Sequence, residues 1–476
     1  MPAPDTSQHK IGVFALAMIN VAAIVSLRNL PVMAEYGLGM IFYYGLSAFC
    51  FFIPTALVAA ELATAWPDEG GVYLWVREAL GERMGFLAIW MQAVNNVVWF
   101  PTVLSFVAGA LAFAVNPQLA DNRYYTLAVI LGVFWAATFA NFRGMKVSGL
   151  ISSVGSIAGT LLPGAVIILV GAWWTAAGHA SQTPLEFSAL VPELDSIRQV
   201  VFLAGALVGL TGMEMSAVHA LDVDNPRTDY PKAIFVSALI ILALSVLGSM
   251  AVAVLVPVKS MSLDAGIMQA FQVAFQNAGL AWLTRIMAVL VALGAVAQVS
   301  TWIVGPTRGL LATGRNGSLP PLFQRENSAG MPVAIMYIQA GVVSLFALVF
   351  LLMPSVNSAY WVLTALTAQS YLVMYVLMFL AGIVLRIKRP DVERPYRIPG
   401  GMAGMVLVAG IGLATSVFCI VVGFVPPAGF AAGRTWAYVA IILGGLVLLM
   451  APPFVMAALK KPSWIPAQGG DDTKEA

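Results

Sequence analysis

Charge is what this sequence has least of. Only 10% of its 476 residues are Asp, Glu, Lys or Arg, against about 25% in an ordinary soluble domain, while 60% are hydrophobic. With a mean hydropathy of +0.89, the chain is built for lipid. Histidine and cysteine are scarce too. His9, His179 and His219 are too few and too scattered for a metal box, and no cofactor is implied. Cys50 and Cys419 lie in apolar runs, which argues against a disulfide framework and leaves them as small buried residues. A net charge of +2 with no basic cluster tied to a recognition pattern points to no nucleic-acid partner. There is no G-x-x-x-x-G-K-[ST] loop to drive an ATP motor, and no set of acids, histidines or nucleophiles with enzyme spacing.

What the chain has in quantity is long apolar runs. Twelve of spanning length are centred on 11–36, 40–64, 85–114, 124–141, 150–175, 197–218, 233–256, 282–312, 332–353, 359–386, 404–426 and 436–458. Each is long enough to cross about 30 Å of hydrocarbon. The first is too long and too polar at its centre for a cleaved signal peptide, so it is read as mature structure. With both termini cytoplasmic, eighteen Lys and Arg fall inside and five outside, Arg28 completing the 24. That bias supports an even number of spans.

The stretch ALAMINVAAIVSLRNLPVMAEYG, Ala15–Gly37, is the focus of the chain. It reads as a membrane helix with Ser26, Leu27, Arg28, Asn29 and Pro31 at its middle. An arginine there costs at least about 2.5 kcal/mol and is kept where it faces a cavity, an ion or a partner. Pro31 cannot donate a backbone bond, so the helix is expected to break near Ser26–Leu30. The guanidinium's rigid fork suits a carboxylate; pairing with Glu214, or reaching water along a tilted helix, are the structural alternatives.

The second focus is Ala206–Ala233. Gly205, Gly209 and Gly212 remove side chains around Leu210, while Thr211 and Ser216 offer other backbone partners. A weak helix there would expose amides to a carboxylate, although glycine also serves close helix contacts. Glu214 follows at once. It is open to three roles: counter-charge, proton-linked coupling group, or hydrogen bonder between helices. An acid pair with Asp222 is a weaker option. Breaks in spans one and six, five spans apart, fit an inverted repeat of spans 1–5 (11–175) and 6–10 (197–386), with 404–458 appended and short ends at 1–10 and 459–476.

Further candidates flank these two. Glu61, at the inner end of span two, is either a gate contact or an interfacial acid, and Glu35 and Lys259 are placed near the outer rim. Asn95, Asn96 and Trp99 in span three form a polar and aromatic patch, with Trp99 able to close over a cargo; Gln298, Ser300, Thr301 and Trp302 in span eight suit a pocket or ordinary packing. The stretch 66–85 reads as a short amphipathic helix on the cytoplasmic surface. The loop at 178–199 would cover an external vestibule, and the basic, proline-rich RIKRPDVERPYRIPGG would position spans ten and eleven and touch anionic lipid heads.

Four strings carry a family resemblance: VAAELATAWPDEGGVYLWV at 58–76, GMEMSAVHALDVDNPRTDYPKA at 212–233, AQVSTWIVGPTRGLLATGRNGSLPP at 297–321 and RPDVERPYRIPGG at 389–401. Through them the chain resembles the amino acid–polyamine–organocation transporters, most closely the glutamate/gamma-aminobutyrate antiporter branch. The resemblance implies an all-α membrane protein with a five-plus-five inverted repeat, discontinuous helices 1 and 6, and alternating access. It implies cargo bound between those helices and screened by spans three, eight and ten, with the acid matching Glu214 contributing to binding or pH-dependent transport. It also implies a bacterial inner (plasma) membrane location, an amino-acid substrate with or without protons, and a monomer or homodimer. Two departures stand out. Arg28 replaces an uncharged, often aromatic residue of that branch, and the tail 460–476 is shorter than the one that plugs the acid-resistance exchanger. An antiporter of anionic or zwitterionic amino acids is therefore the first expectation. Proton-coupled symport of neutral amino acids and a non-transporting sensor are the alternatives.

Overall fold

In the computed structural model, residues 12–66, 70–144, 151, 154–192, 206–207, 209–215, 225, 228–426 and 435–464 are described, and no strand occurs among them. Among the described residues, ten helices are long and apolar enough to cross a membrane. The expected first span is split, and the expected sixth lies largely outside the described residues.

The first helix, α1, runs Val13–Ile24; the backbone then leaves helical geometry at Val25, and α2 begins at Asn29 and ends at Ala34. Pro31 falls in the first turn of α2, where its missing N–H is one a helix start leaves unpaired in any case, so it starts the second half helix rather than kinking one long helix. The break is thus centred on Val25–Arg28, a little earlier than expected.

The spanning helices are α3 (Gly39–Ala65), α5 (Glu82–Val115), α6 (Arg123–Asn141), α7 (Val154–Ala176), α8 (Asp229–Leu255), α10 (Leu283–Arg315), α11 (Val333–Leu352), α12 (Val356–Lys388), α13 (Gly401–Val422) and α14 (Trp436–Ala458). Two short helices join them, α4 (Val72–Leu80) and α9 (Gly266–Asn277). At the centre stands α5, packed most extensively on α10 and α12. Its apolar core is 78% buried, against 17% for α14, so α5 is the spine and α14 lies at the periphery. The closest approach is between α7 and α10, where a β-carbon on Gly159 would stand 2.2 Å from the Gly294 backbone nitrogen. Only paired glycines let the two backbones meet there.

The amphipathic helix forms as α4, and it buries Val72, Tyr73, Trp75, Val76 and Ala79 against α5 and α12. The connection after α8 holds α9, an amphipathic helix that buries Ile267, Met268, Phe271 and Phe275 and was not expected. Of the cysteines, Cys419 is buried and Cys50 only partly so.

Candidate functional site

The break after α1 opens into a cavity of about 40 Å³ lined by Ile24, Ser26, Arg28, Asn29, Asn95, Asn96, Trp99, Thr211, Gln298, Trp302, Thr367 and Tyr371. That is room for about three waters. Ser26 Oγ donates to Gln298 Oε1 at 3.2 Å, pinning the unwound strand to α10. Arg28 Nη1 donates to Thr102 Oγ1 at 2.9 Å, and its guanidinium lies over the Tyr360 ring, 5.5 Å from the centroid. Arg28 is only 3% exposed and its Nε has no hydrogen-bond partner. Asn95 Oδ1, Asn96 Nδ2 and Thr367 Oγ1 are likewise buried without a partner. Each such atom costs about 1–3 kcal/mol unless something polar fills the space. Trp99 and Trp302, their rings 6.0 Å apart, give the cavity an aromatic side.

Beneath the cavity sits Glu214, 3% exposed. Tyr371 Oη donates to its Oε1 and Tyr375 Oη to its Oε2 at 2.6 Å, while Gln92 Nε2 reaches Oε1 at 3.5 Å. Gly212, at φ +112, turns its N–H toward Tyr375 Oη at 2.9 Å. Only glycine adopts that backbone easily. The backbone angle, not space, calls for glycine: a β-carbon at 212 would stand at ordinary contact distance, 3.4 Å from Ile24 and 3.7 Å from Trp302. Arg28 and Glu214 do not pair; their partners are Thr102 and the two tyrosines.

The structure sorts the other candidates. Ser26, Arg28, Asn29, Trp99, Thr211 and Trp302 reach the cavity. Leu27 does not, because it points at Gly164 of α7. Ser300 turns away to exchange hydrogen bonds with Asn141 of α6. Leu210 is fully buried, and Gly209 and Leu210 lie in the non-helical segment without lining the cavity. Gly205, Ser216, His219 and Asp222 lie outside the described residues.

Glu61 is far from the cavity and fully engaged. Arg386 grips it with Nε and Nη2, each at 2.6 Å, Arg394 Nε lies 3.2 Å away, and the Ile398 amide donates at 2.8 Å. The proline-rich connection after α12 is therefore clasped to the end of α3. Tyr396 N adds a bond to Thr64 Oγ1 at 3.3 Å, and the Arg394 guanidinium covers Trp66.

What sequence reasoning missed are the residues of α12, the span expected only to screen the cargo. This helix brings Tyr360, Thr367, Tyr371, Tyr375 and Arg386 to three separate places: behind Arg28, around Glu214, and onto Glu61. Residues 360, 371, 375 and 386 fall within about 80° on a helix wheel. That polar stripe in an apolar run was the available signal.

A bundle of membrane-length helices closed around a small polar cavity, at a break in one of them, describes a multi-pass membrane protein. Comparison with known proteins gives its kind. Residues 11–447 match the family described as amino acid permease. An uncharacterized transporter of Legionella pneumophila is 45% identical over 451 residues, covering 95% of this chain and 97% of that one. The glutamate/gamma-aminobutyrate antiporter of Lactococcus lactis is 32% identical over 459 residues, with 95% and 91% covered. A probable agmatine/putrescine antiporter of the same species is 22% identical over 400 residues, with 83% and 84% covered. The chain belongs to the amino acid permease family of the amino acid–polyamine–organocation superfamily, on its glutamate/gamma-aminobutyrate antiporter branch.

Proposed function

We propose that this protein is a secondary active antiporter of amino acids and their products that carry a carboxylate, working by alternating access. The observation that carries the reading is Arg28: a guanidinium buried at the break of a membrane helix, on a cavity wall, with Nε unclaimed. Its fork suits a carboxylate and repels a cationic amine, which favours the glutamate/gamma-aminobutyrate relative over the agmatine/putrescine one as the guide to cargo.

In this reading the amides around Ser26 and Asn29 and those of Gly209–Gly212 meet the cargo from two broken helices. The unsatisfied Asn95, Asn96 and Thr367 groups take its remaining polar atoms, and Trp99 with Trp302 closes over its apolar part. Glu214 couples cargo or proton movement to the closing of α12 through Tyr371 and Tyr375. Glu61 holds the cytoplasmic side shut. The frame is twelve spans, an inverted repeat of spans 1–5 and 6–10, and both termini in the cytoplasm. The unwound backbone at 25–28 and 209–212 supports the two breaks, and the bias of basic residues supports the orientation. The symport alternative drew on an Arg28–Glu214 pair, and the separate partners of those residues weigh against it.

The test is uptake of labelled glutamate into proteoliposomes preloaded with glutamate, gamma-aminobutyrate or buffer. Preloading is expected to stimulate uptake, and Arg28→Ala to weaken it about ten- to a hundredfold, the worth of a hydrogen-bonded charge, with folded protein retained. Uptake indifferent to preloading rejects exchange. Normal uptake by Arg28→Ala rejects the carboxylate site.

A further inference from the structure

Three buried polar atoms at the end of the bundle opposite Glu61 lack a hydrogen-bond partner: Arg28 Nε, Tyr360 Oη and Asp264 Oδ2. They form one neighbourhood. The Arg28 guanidinium covers the Tyr360 ring, and the Tyr360 hydroxyl lies in the electrostatic field of both Arg28 and Asp264. The side chains are 3%, 1% and 2% exposed, in that order. Their chemistry is complementary: Nε can only donate, a carboxylate oxygen only accept, and a phenol hydroxyl does both. Each charged group is anchored at another atom, Arg28 by Thr102 at 2.9 Å and Asp264 Oδ1 by Ser262 Oγ at 2.6 Å.

The frame holds the set together. Tyr360, in the second turn of α12, packs with Val32 of α2 and Leu263 beside Asp264. The Asp264 carbonyl presses on α5 at Gly109, where a β-carbon would come within 2.7 Å, and the same helix carries Thr102.

We propose that Tyr360 and Asp264 are positioning residues for Arg28, a resident carboxylate reached through a phenol, which holds the guanidinium in the empty protein and yields it to the cargo carboxylate. The inference rests on the reading of Arg28 as the cargo's ligand. It adds a pH dependence that Arg28 alone cannot have. Burial raises the Asp264 carboxyl from 3.8 to about 6; the Ser262 hydroxyl opposes this, and Asp121 adds to it. The other titratable groups facing it are Tyr360 and, behind it, Arg28. Neither α9 nor the part of α5 beyond Arg83 carries a charged residue. Below pH 6 Asp264 is neutral and the competitor is silent; above it the carboxylate draws Arg28 away from cargo.

Glutamate uptake into proteoliposomes is measured with the pH varied on the Asp264 side and fixed on the other. Asp264→Asn keeps an oxygen for Ser262, and Tyr360→Phe keeps the ring under the guanidinium. In the unmodified protein, KM is expected to fall about fivefold between pH 7 and pH 5, the low end of a typical coupling between sites. Asp264→Asn should hold the low KM at both values, and Tyr360→Phe should follow it, with Vmax little changed. Asp264→Asn with the original KM and the original pH slope overturns the proposal, while Arg28→Ala failing in the same assay shows that the cargo reading stands without it. Normal uptake by Arg28→Ala sinks both.

Discussion

Replacing Glu61 by Gln should open one end of the protein. The carboxylate takes four contacts: two from Arg386 at 2.6 Å, one from Arg394 at 3.2 Å and one from the Ile398 amide at 2.8 Å. The Arg386 and Arg394 side chains are 2% and 4% exposed, so an amide at 61 leaves two cations in a dry site. Removing one partner of such a pair costs about 3–5 kcal/mol, because the surviving charge is stranded. At about 1.4 kcal/mol per tenfold, the detachment equilibrium of the 389–400 segment shifts by roughly two to three and a half powers of ten. Amide hydrogen exchange reads this directly: Tyr396 and Ile398, bonded to Thr64 and Glu61, should lose protection by that factor, while α5 keeps its own. The double variant Glu61→Met with Arg386→Met should recover part of the loss, since a buried pair replaced whole is often tolerated. Unchanged exchange in Glu61→Gln, or independent effects of the two sites in a double-mutant cycle, would refute the clasp.

Three further outcomes are expected. Tyr375→Phe removes the donor to Glu214 Oε2 and the acceptor of the Gly212 N–H, and should slow exchange about ten- to a hundredfold, as for other hydrogen bonds to charged groups; an unaltered rate in counterflow would mean that the tyrosine merely packs. Glu214→Gln should flatten the pH profile of transport more than it lowers the amount of protein in the membrane, and an unshifted profile removes Glu214 from coupling. Gly159→Ala drives a methyl group to 2.2 Å from the Gly294 backbone and should cost about 1–3 kcal/mol by overpacking. Its melting temperature in detergent should fall while Gly341→Ala, whose β-carbon meets nothing within 4 Å, stays close to the parent.

How far the chain could be read follows from which forces are local. Membrane helices are legible because every residue facing hydrocarbon must be apolar whatever its neighbours, so ten spans come straight from runs of Leu, Val, Ala and Ile. The break after α1 is legible for the same reason, as Arg28 and Pro31 violate that rule in the sequence itself. Partners are another matter. Arg28 and Glu214 look like a pair when they are the two conspicuous charges in apolar runs, yet α5 supplies a hydroxyl to one and α12 two phenols to the other. Ser300 and Trp302 share a span and a composition, but a turn of α10 sends one to Asn141 and the other to the cavity. Glu61 is an ordinary interfacial acid until Arg386 of α12, 325 residues along the chain, and the connection beyond that helix close over it. The sequence by itself determined where the helices lie and where one must break, because lipid imposes that cost residue by residue. Which polar groups meet inside was decided only when the helices packed, since a hydrogen bond depends on the rotation of two helices whose separation along the chain carries no information about it.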